Sequence, residues 1–68
     1  MEAATTANNL MARIAAHFRT RGKPEPTIRG GQTPRGFTVG IKVQGDDGYT
    51  LFYGNTAQEV LDQIEEAY

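Results

Sequence analysis

Residues 37–43 read Phe37-Thr38-Val39-Gly40-Ile41-Lys42-Val43, apolar at every odd number and polar or small at every even one. That period of two puts Phe37, Val39, Ile41 and Val43 on one face of a β-strand and Thr38, Gly40 and Lys42 on the other, as in a sheet with one face against a core. Gly45-Asp46-Asp47-Gly48 follows, then a second β-rich run over residues 49–53. Asp46 and Asp47 suit a type I turn and Gly48 the left-handed position after it, which is the three-residue hairpin loop with a bulge. Pairing Gly45 with Tyr49 sets Val43 opposite Leu51 and Ile41 opposite Tyr53. In that register Tyr49, Leu51 and Tyr53 join the core and Phe52 faces solvent beside Lys42, whereas a slip of one residue buries Phe52.

Helical periodicity flanks this β-rich centre. Ala7, Leu10, Met11, Ile14 and Phe18 recur at three- and four-residue spacing and line one side of a helix over residues 6–21. Thr5 or Thr6 can cap its start, and Gly22 can end it in the left-handed conformation, with Arg19, Arg21 and Lys23 placed against the negative end of the helix dipole. Pro24 and Pro26 block continuation. A short strand over residues 26–29 and a mobile loop over residues 30–36, carrying Arg35, connect this helix to the alternating run. At the other end, Thr56 and Glu59 have the spacing of a capping box for a helix over residues 57–67. Its apolar stripe is Ala57, Val60, Leu61, Ile64 and Tyr68, and Glu59, Asp62, Glu65 and Glu66 cover the remainder. With strands over 36–44 and 49–54, the expected fold is a single αβββα domain of the α+β class. Its three antiparallel strands carry both helices on one face.

Length and composition narrow the possibilities. A chain of 68 residues buries a thin core, and without cysteine neither a disulfide nor a thiolate metal site reinforces it. A reducing setting fits, and residues 1–6 lack the basic start and apolar stretch of a secretory signal, so the expected location is the cytoplasm, with no membrane association. Charge is segregated along the chain. Residues 1–44 hold seven Lys or Arg against two acids, a net of +5, and residues 45–68 hold six acids and no base, a net of −6. Such a bipolar distribution either pairs within the fold or steers partners.

The order of elements, and the residues at their junctions, resemble the double-stranded RNA-binding domain. In that family a helix ending in Arg-Gly runs into a Pro-containing first strand, as at Arg21, Gly22, Pro24 and Pro26. The second strand alternates as Phe37, Val39, Ile41 and Val43 do and ends at a glycine like Gly45, and a glycine with a small hydroxyl residue opens the last helix, as Gly54 and Thr56 do. The likeness spans roughly residues 9–67. The family's phosphate-gripping lysines on the last helix have no counterpart in Ala57, Gln58, Glu59, Val60 and Leu61. The family's Gly-Pro-x-His loop is matched only by Gly31, Gln32, Thr33, Pro34 and Arg35. Four carboxylates on the helix that should meet phosphate would repel it, so the resemblance implies a protein-binding derivative of the fold.

Enzymatic chemistry is hard to assemble here, because the chain has no Ser or Cys and a single histidine, His17, on the flank of the first helix's apolar stripe. Adjacent Glu65 and Glu66 diverge by about 100° on a helix, and Asp46 with Asp47 lacks the spaced oxygens of a calcium loop. Neither cofactor nor metal is expected. The leading expectation is a non-enzymatic protein-binding module, an inhibitor or accessory factor that meets a basic partner surface through Glu59, Asp62, Glu65 and Glu66, with Phe52 as a possible anchor. The alternative is nucleic-acid binding through Arg13, Arg19, Arg21, Lys23, Arg29 and Arg35. A monomer or weak homodimer is expected, since an exposed Phe52 would promote self-association.

Overall fold

The structure, a computed structural model, describes residues 4–68. Its elements run α1 (Leu10–Thr20), β1 (Thr27–Thr33), β2 (Gly36–Lys42), β3 (Thr50–Gly54) and α2 (Ala57–Ala67), and the strands form one antiparallel sheet in the order β1-β2-β3. This is the expected α+β αβββα arrangement. Phe37, Val39, Ile41 and Val43 supply the sheet's inward face, as their alternation requires, and Ile28 joins them from β1. Leu10, Ile14 and Phe18 of α1 and Ala57, Val60, Leu61 and Ile64 of α2 close over that face.

α1 begins later than its apolar spacing suggests. Thr6 and Asn9 form a separate turn, in which the Asn9 amide donates to the Thr6 carbonyl at 3.2 Å and the Asn9 side chain accepts from the Thr6 amide at 2.7 Å. Neither Thr5 nor Thr6 caps the helix, because Asn9 holds the cap position and its side chain is turned back along the chain. Met11 lies outside the core at 48% exposure. The helix ends as anticipated. Gly22 takes φ 69°, its amide donates to the Arg19 carbonyl at 3.0 Å, and the Lys23 amide donates to the Phe18 carbonyl at 2.9 Å. These two bonds are the Schellman closure that a left-handed glycine makes possible.

Residues 30–33 are strand and not loop. Gly30 pairs with Val39, Gly31 with Thr38 and Gln32 with Phe37, so β1 runs the full length of β2 and the turn shrinks to Pro34 and Arg35. Strongly patterned β2 offers a complete ladder of partners, which outweighs the low strand propensity of two glycines. Gly30 sits at φ 116°, and a Cβ there would come within 2.1 Å of the Thr38 carbonyl oxygen, so the hairpin requires glycine at this point. Thr33 fixes the tip, its hydroxyl accepting from the Arg35 amide at 3.3 Å and donating to the Gly36 carbonyl at 3.2 Å.

The β2–β3 register also differs from expectation. Val39 pairs with Phe52, Thr38 with Tyr53 and Ile41 with Thr50, three residues away from the Ile41–Tyr53 pairing anticipated for a tight hairpin. The cause lies in the connection. Asp46 closes a turn on Val43 in both directions: its amide donates to the Val43 carbonyl at 3.0 Å and its carboxylate accepts from the Val43 amide at 3.3 Å. Gly45 stands at the third position of that turn with φ 97°, a place that favours glycine. The chain therefore turns earlier than an Asp46–Asp47 centre would allow and spends residues 47–49 reaching β3. An odd displacement exchanges the two faces of a strand. Phe52 is consequently half-buried against the core, where it meets Tyr68 at 6.2 Å between ring centres, and Tyr68 meets Phe18 at 5.1 Å. Tyr49, Leu51 and Tyr53 are turned outward.

α2 starts as a capping box with a small variation. The Thr56 hydroxyl accepts from the Glu59 amide at 3.2 Å, and the Glu59 carboxylate accepts from the Asn55 amide at 2.7 Å, one residue before the cap. Gln63 ties the helix to the outer strand through a 2.5 Å bond from its side-chain amide to the Tyr53 carbonyl.

The register sets the relative cost of two neighbouring substitutions. Phe52→Ala is expected to lower unfolding free energy by about 2 to 3 kcal/mol, toward the lower end for a core phenylalanine because its ring is only partly buried, and Leu51→Ala to change it by less than about 1 kcal/mol. Urea unfolding of both variants checks this, and the reverse ranking would indicate the other face pairing.

Candidate functional site

Two surfaces stand out, on opposite sides of the molecule. The first is the outer side of α2. With Val60, Leu61 and Ile64 turned inward, Glu59, Asp62, Glu65 and Glu66 are all exposed. At about 100° per residue Glu59, Asp62 and Glu66 fall within a sector of about 60°, and Glu65 lies about 60° further round, toward α1. Local bonds hold part of this array in place. Glu59 serves the helix cap, and Asp62 accepts from the Gln58 side chain at 2.8 Å. Both interactions leave the negative charge on the surface.

Glu65 faces His17, with 3.9 Å from its Oε2 to the His17 Nδ1. Only 10% of the His17 side chain is exposed, and among the described residues its Nε2 is buried without a hydrogen-bond partner. His17 shares a shallow cleft of about 310 Å³ between the helices with Arg13, Thr20 and Glu65. It is packed as a wedge between the helices, which its place on the flank of the α1 stripe foreshadows.

The basic residues are dispersed. Arg19 and Arg21 lie exposed at the end of α1, while Arg13 lines the interhelical cleft. Lys23 turns to the end of α2, donating to the Tyr68 carbonyl at 3.1 Å with its ammonium 5.9 Å from the Tyr68 ring centre. Arg35 sits at the tip of the β1–β2 turn and Arg29 on the uncovered face of the sheet. These six side chains form no single groove.

The second surface is that uncovered face. Tyr53 is 60% exposed and Leu51 53%, on alternate positions of β3, and Tyr49, in the connection just before that strand, is 37% exposed. Leu51 and Tyr49 lean over Gly40, where a Cβ would approach their side-chain carbons to 3.2 and 3.3 Å, and the Arg29 guanidinium lies 5.6 Å from the Tyr49 ring centre. Beside Tyr53 a shallow groove of about 370 Å³ runs past Thr38 and Thr33 to Arg35, with Glu59 and Asn55 on its other wall. Sequence reasoning placed these three side chains in the core and offered Phe52 as the exposed anchor. Phe52 packs inside, so it leaves the site, and Tyr49, Leu51 and Tyr53 enter it. The alternation of residues 49–53 contains the signal, but only pairing with β2 says which alternate set is outside.

No family model matches the chain, and neither a curated protein nor a solved structure does.

The packing of His17 yields a stability test. His17→Leu removes a buried nitrogen that has no partner while keeping apolar contact, so it is expected to leave stability unchanged or raise it by up to about 1 kcal/mol. Thermal and urea unfolding at neutral pH provide the measurement, and a clear loss would show that the imidazole makes a bond that matters.

Proposed function

We propose that this domain is a small non-enzymatic protein-binding module, an inhibitor or accessory factor, that captures a cationic partner surface through the acidic outer side of α2. The observation that carries this reading is the division of α2 itself. Its apolar stripe is wholly committed to the core, so Glu59, Asp62, Glu65 and Glu66 stand on a rigid element with their spacing set by the helix. A lattice of like charges on one surface is unfavourable within the isolated domain, and a partner rich in Lys and Arg relieves it. Long-range attraction would speed encounter, and exposed pairs of this kind add modest affinity each, so several must act together.

Its resemblance to the double-stranded RNA-binding domain supports the same reading. There the first turns of the last helix are cationic and meet phosphate, and here the corresponding stretch, Ala57 to Leu61, has one acid, Glu59, and no base. A surface of that shape and charge suits a protein that itself binds nucleic acid, because such a protein presents the cationic groove that the helix can occupy.

Neutralising the array tests the reading. A variant carrying Glu59→Gln, Asp62→Asn, Glu65→Gln and Glu66→Gln keeps an acceptor for the Asn55 amide and should fold, as circular dichroism would report. It is expected to lose at least about tenfold in affinity for its captured partner in a pulldown followed by titration, with most of the change in association rate. Capture that survives the substitutions unchanged contradicts an acidic recognition surface.

A further inference from the structure

The uncovered face of the sheet has a chemistry that the acidic helix does not explain. Leu51 and Tyr53 of β3 stand about 7 Å apart along the strand, because alternate residues repeat at twice 3.3 to 3.4 Å, and Tyr49, just before the strand, is exposed as well. Among the described residues, the alternate positions forming this face carry two charges, Arg29 and Lys42, and no acid. Arg35 extends the basic character to the end of the groove beside Tyr53. Exposed rings flanked by guanidinium and ammonium groups on an uncovered sheet face suit bases and phosphates together.

We infer that this face is a stacking platform for single-stranded nucleic acid, with Tyr53 and Tyr49 receiving bases and Arg29, Lys42 and Arg35 meeting phosphates. Gly40 lets Leu51 and Tyr49 lie down across the middle of the face, since a Cβ there would come within 3.2 to 3.3 Å of their side-chain carbons. The Arg29 guanidinium lies 5.6 Å from the Tyr49 ring centre, so a cation that can meet a phosphate stands beside a ring whose other side can take a base. At the groove end Glu59 is held on the Asn55 amide, so the phosphate path follows the β1 side, along Arg29 and Arg35. A duplex does not fit. Its bases are stacked on one another and cannot reach rings exposed on a sheet face. Pairing this face with a second copy would oppose Arg29 and Lys42 with the same cations and supply no acid to match them.

Fluorescence anisotropy of the whole chain with a labelled oligothymidylate of about 12 nucleotides tests the inference, using a duplex of equal length for comparison. The single strand is expected to bind, the duplex to bind far more weakly, and affinity for the single strand to fall about tenfold between ~50 and ~200 mM salt, as two or three phosphate contacts imply. Tyr53→Ala and Tyr49→Ala should each weaken binding by about tenfold without changing the circular dichroism spectrum, and Arg29→Gln should lower the salt slope by about 0.7. Four results would each overturn the proposal. These are no binding at ~50 mM salt, binding indifferent to both tyrosine substitutions, equal affinity for the duplex, and equal affinity for an oligoglutamate peptide, which would mark the face as a site for acidic protein segments. A Tyr53-dependent dimer in sedimentation would overturn it as well.

Discussion

A three-stranded sheet in a chain this short has two faces, and the two helices cover one of them. Ridges of Leu10, Ile14 and Phe18 from α1 and of Val60, Leu61 and Ile64 from α2 meet Val39 and Ile41 on the sheet, and this single layer contact holds the apolar core together. At about this size folding buries only ~60% of the surface of the unfolded chain, so little apolar material is left for a second layer. Everything else about the molecule's surface follows from which side chains that contact takes in. Phe52 is inside because Val39 is its partner, and Tyr53 and Leu51 are outside for the same reason.

The sign of the surface is distributed by the same constraint. α2 must turn its apolar stripe inward, and apart from Ala67 its sequence offers only acids and amides elsewhere, so the carboxylates gather on one side. The cations of the first forty-four residues do not gather in return. Arg19 and Arg21 stay at the end of α1, Lys23 binds the end of α2, and Arg29 and Lys42 lie on the far side of the sheet. The charge halves of the sequence therefore do not become two layers, because α1 carries Arg13 and Arg19 in the helical layer while the acids of α2 stand beside it. The acidic outer side of α2 and the basic, aromatic sheet side face in opposite directions, and each can be occupied without the other.

Much of the fold was legible in the residues. The alternation from Phe37 to Val43, the stripe of Val60, Leu61 and Ile64, the Thr56–Glu59 cap and the Gly22 stop each satisfy a local rule strong enough to survive folding. Two features were not legible. β1 extends through Gly30 and Gly31 because β2 supplies it a full set of partners, a tertiary effect that overrides the loop character of the local sequence. The β2–β3 register depends on whether Asp46 serves as the middle of a turn or closes one back to Val43, and both uses are ordinary for aspartate. The former use sets the loop length of a three-residue hairpin and turns Tyr49, Leu51 and Tyr53 inward with Phe52 outside. That choice carried the candidate site with it, since Phe52 and the Tyr49, Leu51 and Tyr53 set exchange faces together. The acidic residues of α2 were readable because a capped helix with one stripe fixes its own exposed side.

Cross-strand nuclear Overhauser contacts between β2 and β3 measure the register without altering the chain. The account predicts close backbone proton pairs linking Thr38 with Tyr53 and Val39 with Phe52, together with contacts from the Phe52 ring to Tyr68. Pairs linking Ile41 with Tyr53 and Val43 with Leu51 would contradict it, and would return the tyrosines to the core and Phe52 to the surface.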